Sequence, residues 1–134
     1  MSLLVLVLVM VTGVIFLIAD AVMLSTVIKP IFAQHLGETL RVAIRPLQAA
    51  LFYVINMAGV VWFAGWPALR DGTPATALLN GAVLGFVAYG TYELTSWTVM
   101  RDWHPSMVAA DMAWGATLTA VSAWGGVMAA RAIG

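Results

Sequence analysis

The stretch Gly90–Gly115, "GTYELTSWTVMRDWHPSMVAADMAWG", sets two apolar runs on either side of a short polar break and puts one carboxylate in each, Glu93 and Asp111. In a soluble protein two such acids would need no comment. Here they stand in a chain of 134 residues that is 63% hydrophobic and 9% charged, with a mean hydropathy of +0.98. A soluble domain carries about 25% charged residues, so a soluble reading would leave far too much apolar surface in water. The expected fold class is all-α: an integral membrane protein, a four-transmembrane-helix antiparallel bundle.

The break "RDWHPS" then reads as the turn of a hairpin, and the rest of the chain divides on the same terms. A spanning helix needs about 20 mostly apolar residues, and four segments supply them, within a single domain covering 1–134. The first runs over about 3–28 and stops at Lys29-Pro30, a charge beside a helix-breaker. The second covers about 47–66 and is closed by Pro67. The third, about 74–100, follows Thr73-Pro74, a cap residue and a proline at the first helical position. The fourth covers about 107–130. Short links make neighbouring helices antiparallel. Residues 31–45, with Glu38, Arg41 and Arg45 on one face, predict a short interfacial helix or an extension of the second span.

Composition also excludes function classes. Six basic residues balance six acidic ones, which leaves no electrostatic footprint for nucleic acid. The absence of cysteine removes thiol nucleophiles, thiolate metal sites and disulfides. The apolar amino terminus lacks Lys and Arg and is too long for a signal-peptide core, so it is expected to be a retained span. Nothing implies a cofactor, and no set of metal ligands is expected. The side holding residues 29–46 and 101–106 carries Lys29, Arg41, Arg45 and Arg101, against Arg70 and Arg131 on the other. The positive-inside rule then places the first side in the cytoplasm and both termini outside.

Depth makes the acids informative. Asp20 precedes Lys29 by nine residues, Glu93 precedes Arg101 by eight, and Asp111 follows Pro105 by six. At 1.5 Å per residue all lie roughly 9–14 Å in from the same side. Asn56, ten residues after Pro46, reaches that level too. An acid at the centre of a span costs about 2.5–3.5 kcal/mol on insertion scales, so three facing lipid would cost roughly 8–10 kcal/mol. They should turn inward. Gly81, Gly85, Tyr89 and Glu93 repeat every four residues on the third helix; Asp111, Gly115, Thr119, Ser122 and Gly126 make a small and hydroxyl stripe on the fourth. The stripes should pack together, with Glu93 near Asp111.

No Lys, Arg or His lies within the spans to neutralise this layer. Its acids can be protonated and bonded to Tyr89, Tyr92, Thr95 or the Trp114 indole, can hold a cation, or can be met by His104, Arg45 or Arg101 reaching down. The plainer alternative is that buried polar groups only bind helix to helix. His104 and His35 could be proton-relay groups or ordinary loop histidines. Trp62, Trp66, Trp97 and Trp103 near span ends suit an interfacial aromatic belt.

The motifs "YGTYELTSW" (89–97), "ADMAWG" (110–115) and "IAD" (18–20) together resemble a bacterial family of predicted membrane proteins, domain of unknown function 2177. Its pattern is Tyr-Ala-Thr-Tyr-Asp-Leu-Thr-Asn followed by Asp-x-x-Trp-Gly. Gly90 stands for the alanine, Glu93 for the aspartate and Ser96 for the asparagine. The resemblance covers nearly the whole chain. It implies four spans in the bacterial inner (cytoplasmic) membrane and puts Tyr89, Thr91, Tyr92, Glu93, Thr95, Asp111, Trp114 and Gly115 in the signature. It implies no reaction.

The expected function is a buried acidic pocket that binds or passes a proton, cation or small polar ligand. Its candidates are Glu93, Asp111, Asp20, Tyr89, Tyr92, Asn56, Thr95, Trp114 and His104. The alternatives are a membrane-embedded lipid-modifying enzyme or its subunit, and a non-catalytic accessory subunit. The expected partner is the lipid bilayer, with assembly as a homo-oligomer or in a larger membrane complex left open.

Overall fold

The computed structural model describes residues 2–37 and 45–134, and nearly all of them are helical. In chain order the elements are α1 (Ser2–Met23), a π turn (Leu24–Ile28), α2 (Lys29–Leu36), α3 (Pro46–Val60), a second π turn (Val61–Gly65), α4 (Trp66–Asp71), α5 (Pro74–Val99) and α6 (Pro105–Ile133). The charged face expected from Glu38 and Arg41 falls outside the described residues.

Two expected helix ends are corrected. The first helix does not stop at Lys29-Pro30, nor the second at Pro67; each runs on through its proline. A proline inside a helix withholds an N–H and pushes its ring at the carbonyl four residues back. In both rods a five-residue π turn ends two residues before the proline. There the ladder lengthens its step, with the Lys29 N–H on the Leu24 carbonyl and the Trp66 N–H on the Val61 carbonyl. Side chains help where the step changes. Ser25 Oγ donates to the Ala21 and Val22 carbonyls, and Thr26 Oγ1 to Val22 at 2.7 Å. Pro67 cannot serve the Phe63 carbonyl, and Asn80 Nδ2 of α5 donates to it at 3.2 Å.

The other two helices start as the sequence predicts. Thr73 forms a reciprocal capping box with Thr76 ahead of α5. His104 caps α6, its Nδ1 accepting from the Ser106 N–H at 3.1 Å.

The helices pack antiparallel in chain order. A Cβ built on Gly85 would lie 2.2 Å from the Gly115 carbonyl oxygen, and one on Gly126 would lie 2.0 Å from Thr12 Oγ1. Those contacts seat α6 against α5 through Gly115 and Thr119 of the predicted stripes, whereas Gly126, expected to face α5, packs on Thr12 and Leu8 of α1. Only a hydrogen fits at these crossings.

Packing is uneven along the axis. At the end near Gly72, Leu8, Val60, Ala64, Ala68, Ala77, Ala123, Val127 and Ala130 make a tight core. Toward Pro46 the second rod stands away: Val60 is the one buried residue of α3. Leu47, Val54 and Ile55 expose 67%, 68% and 70% of their surface. Among the described residues two helices are long and apolar enough to cross a membrane, Leu3–Leu36 and Pro46–Asp71. The core helix of a soluble protein would be mostly buried. Here 22% and 11% of the most apolar windows are buried, so the apolar surface faces outward, toward a medium that is not water.

Candidate functional site: an acidic crevice between the helices

The stripes bring the acids together at the predicted level. Glu93 is fully buried on α5, and its carboxyl faces that of Asp111 on α6, itself 7% exposed. Asp20 of α1, 5% exposed, lies on the other side of Asp111. Asp111 therefore stands between two acids, and the layer is an arc of three helices.

Each outer acid is held by a tryptophan indole. Trp114 Nε1 donates to Asp20 Oδ1 at 3.2 Å, and the Tyr53 hydroxyl to Asp20 Oδ2 at 2.7 Å. Both oxygens accept a hydrogen bond. Trp103 Nε1 donates to Glu93 Oε1 at 2.9 Å. Glu93 Oε2, equally buried, has no well-formed hydrogen bond, although it faces Asp111. The two carboxyl groups are side-chain hydrogen-bond neighbours.

Trp103 corrects an expectation. It is not a belt residue at the membrane surface but 8% exposed, packed with Met107 and Val108 under Ile31, Phe32 and Leu36 of α2. Its ring meets Phe32 edge-on at 5.4 Å and Tyr92 at 5.6 Å. The α2 extension thus closes Glu93 off from the side of residues 101–106.

On the opposite flank of Asp111 the helices leave a crevice of about 360 Å³, lined by Asp20 and Leu24 of the first rod, by Ala49, Phe52 and Tyr53 of α3, by Ala88, Tyr89 and Tyr92 of α5, and by Asp111. It exists because the first half of α3 diverges from the core below. Its walls are mostly apolar, with two carboxyl groups and three phenol hydroxyls among them. The size falls within the range of small-molecule sites, roughly 300–1,000 Å³.

Of the predicted site residues, Asp20, Tyr89, Tyr92 and Asp111 line this crevice. Trp114 supports it through Asp20. Glu93 lies behind Asp111. Three predicted members stand elsewhere. Asn56 is one turn below Tyr53, off the crevice wall, with a buried and unpartnered Nδ2. Thr95 donates back to the carbonyls of Thr91 and Tyr92 and lines a shallow outer groove. His104 points to Ser106 Oγ at 2.9 Å and stacks on His35 at 4.0 Å, apart from the acids. Nor does a basic side chain descend to the layer: among the described residues the ion pair is Arg70–Asp71, 2.6 Å, at the far end.

Sequence reasoning missed Tyr53 and Trp103. Tyr53 follows Pro46 by seven residues, a depth of about 10 Å, so the depth rule that selected Asn56 selects it equally. The cover over Trp103 comes from α2, the continuation of the first rod, and nothing in the sequence around Trp103 records it.

The sequence profile of the family described as "Predicted membrane protein (DUF2177)" matches residues 5–128. The chain belongs to this family. Its members are predicted membrane proteins of unknown function, in agreement with the outward apolar surfaces of the two long rods. No curated protein and no solved structure matches the chain.

Proposed function

We propose that the chain crosses the bilayer four times as one antiparallel bundle and that its acidic crevice binds a cation or a cationic group. The two rods provide the outward apolar surface. α5 and α6, richer in Gly, Ala and Thr, form the inner pair. The orientation that follows from the basic residues puts the crevice end toward the cytoplasm, and the inner membrane is the expected home.

One observation carries the binding proposal. Glu93 and Asp111 face each other, both more than nine-tenths buried, with a single well-formed donor, Trp103, between them. Buried acids without compensation are costly, and Asp111 presents its carboxyl to a cavity of ligand size. A positive charge in the crevice completes the arrangement. A bare proton shared by the pair is the limiting case, and passage of a proton or cation is a further step from it. The enzyme and accessory-subunit alternatives have no comparable observation behind them.

Thermal unfolding of the protein in lipid nanodiscs tests this, with sodium, potassium, magnesium and methylammonium chlorides added in turn at constant ionic strength. A bound cation stabilises by RT ln(1 + [L]/Kd), about 2.7 kcal/mol at 100 Kd. The expected result is stabilisation by at least one cation in the wild type and its loss in Asp111→Asn. If neither these cations nor a longer alkylammonium shifts unfolding at millimolar concentration, the proposal is wrong.

A further inference from the structure

The crevice has features that distinguish among cations, and this step rests on the cation-binding reading above. A small inorganic ion calls for several oxygen ligands around one point. Among the described residues no group of three or more acidic or histidine side chains converges to hold a metal ion. The walls are instead mostly carbon, with Phe52, Tyr53, Tyr89 and Tyr92 presenting four aromatic rings beside Asp111. Aromatic faces attract organic ammonium groups. Asp111, 7% exposed, has the Glu93 carboxyl as its side-chain hydrogen-bond neighbour and otherwise faces the crevice, where a primary ammonium brings three donors.

Access points the same way. Phe52, Leu24 and Tyr92 on the crevice walls are 48%, 40% and 53% exposed, and they adjoin the outward apolar surface of α3. A ligand reaching Asp111 passes over carbon at the level of the acyl chains. We propose that the crevice takes the head of a primary-amine amphiphile, its ammonium on Asp111 among the tyrosines and its alkyl chain in the bilayer. Asp20, already bonded by Tyr53 and Trp114, fixes the wall without needing to move.

The test compares methylammonium with octylammonium on protein in neutral-lipid nanodiscs, with unfolding temperature and calorimetric titration as readouts. Octanol serves as the uncharged control. Two variants accompany the wild type: Asp111→Asn, which removes the charge, and Ala49→Leu, which fills the crevice from the loosely packed α3 and leaves every acid in place. Octylammonium is expected to bind about tenfold or more tighter than methylammonium, since each buried methylene contributes up to about 0.8 kcal/mol. Both variants should lose that preference, and octanol should not stabilise.

Equal binding of the two amines would overturn the amphiphile and leave the cation site standing. Octylammonium binding that Ala49→Leu does not weaken reports bilayer partitioning and also overturns it. Failure of every amine and every metal cation removes both this inference and the reading beneath it. Should Asp111→Asn fail to fold, Ala49→Leu alone decides.

Discussion

Asp20 and Glu93 are held by the same device, an indole N–H on a carboxylate at matched depth, and they come to opposite ends. Asp20 has both oxygens bonded and forms part of an open wall. Glu93 has one oxygen bonded and one bare, under a cover of Trp103 and α2. The difference lies in what stands beside each indole. Trp114 sits mid-helix with Tyr53 opposite, whereas Trp103 hangs from a link and is pressed down by Ile31, Phe32 and Leu36. One acid is a finished structural element. The other is sealed but unfinished, and Asp111 between them connects its deficit to the crevice.

The change that should erase the comparison is Gly85→Ala. Its Cβ would meet the backbone of Gly115, which cannot rotate away, so α5 and α6 must part and both pockets deform. A loss of about 3 kcal/mol is expected, read by reversible unfolding in mixed micelles. A value near zero would mean the two helices do not cross there.

Next come the indoles. Trp103→Phe keeps most of the packing but takes the one donor from Glu93, a loss of about 2 kcal/mol. Trp114→Phe should cost about 1 kcal/mol or less, because Tyr53 still bonds Asp20. The same unfolding assay reads both, and a larger loss for Trp114→Phe would reverse the account of which acid is satisfied. Glu93→Gln on top of Trp103→Phe should recover part of the loss, because the amide brings its own N–H donors to the facing Asp111.

The smallest effect is expected at the closed end. Asn80→Ala leaves the Phe63 carbonyl without its side-chain donor at an exposed site and should cost about 0.5 kcal/mol. Methylammonium binding should be unchanged, since Asn80 is remote from the crevice. A changed affinity would show that the two ends are coupled.

Much of this was legible in the sequence, for physical reasons. The membrane class followed from composition, and the α5–α6 hairpin from Thr73-Pro74, Pro105 and the four-residue stripes. Intramembrane charge is costly enough that Glu93 and Asp111 could be turned inward and paired on energy alone. Two things were not legible. A π turn inserts a residue into the helical count and turns the downstream surface by about 100°, so a 3.6-residue period read across Leu24–Ile28 or Val61–Gly65 loses its phase. The rule that prolines end helices then supplied false boundaries at Pro30 and Pro67. The second was the divergence of α3. The crevice depends on how far one rod leans from another, and no local pattern in Pro46–Met57 records that lean.

The unbroken run Leu3–Leu36 has a consequence of its own. Its 34 residues extend about 51 Å, against about 30 Å of hydrocarbon and about 40–45 Å with headgroups. On the crossing proposed above, the rod is longer than the layer, and the excess is α2, beginning at Lys29. On that placement its two ends would meet a change in membrane thickness first. A thinner bilayer strips lipid from Phe32 and Leu36, and a thicker one draws Lys29 toward the acyl chains, each costing fractions of a kcal/mol per ångström. Because those apolar residues press Trp103 onto Glu93, the thickness of the surrounding membrane bears directly on the stopper over the buried acid.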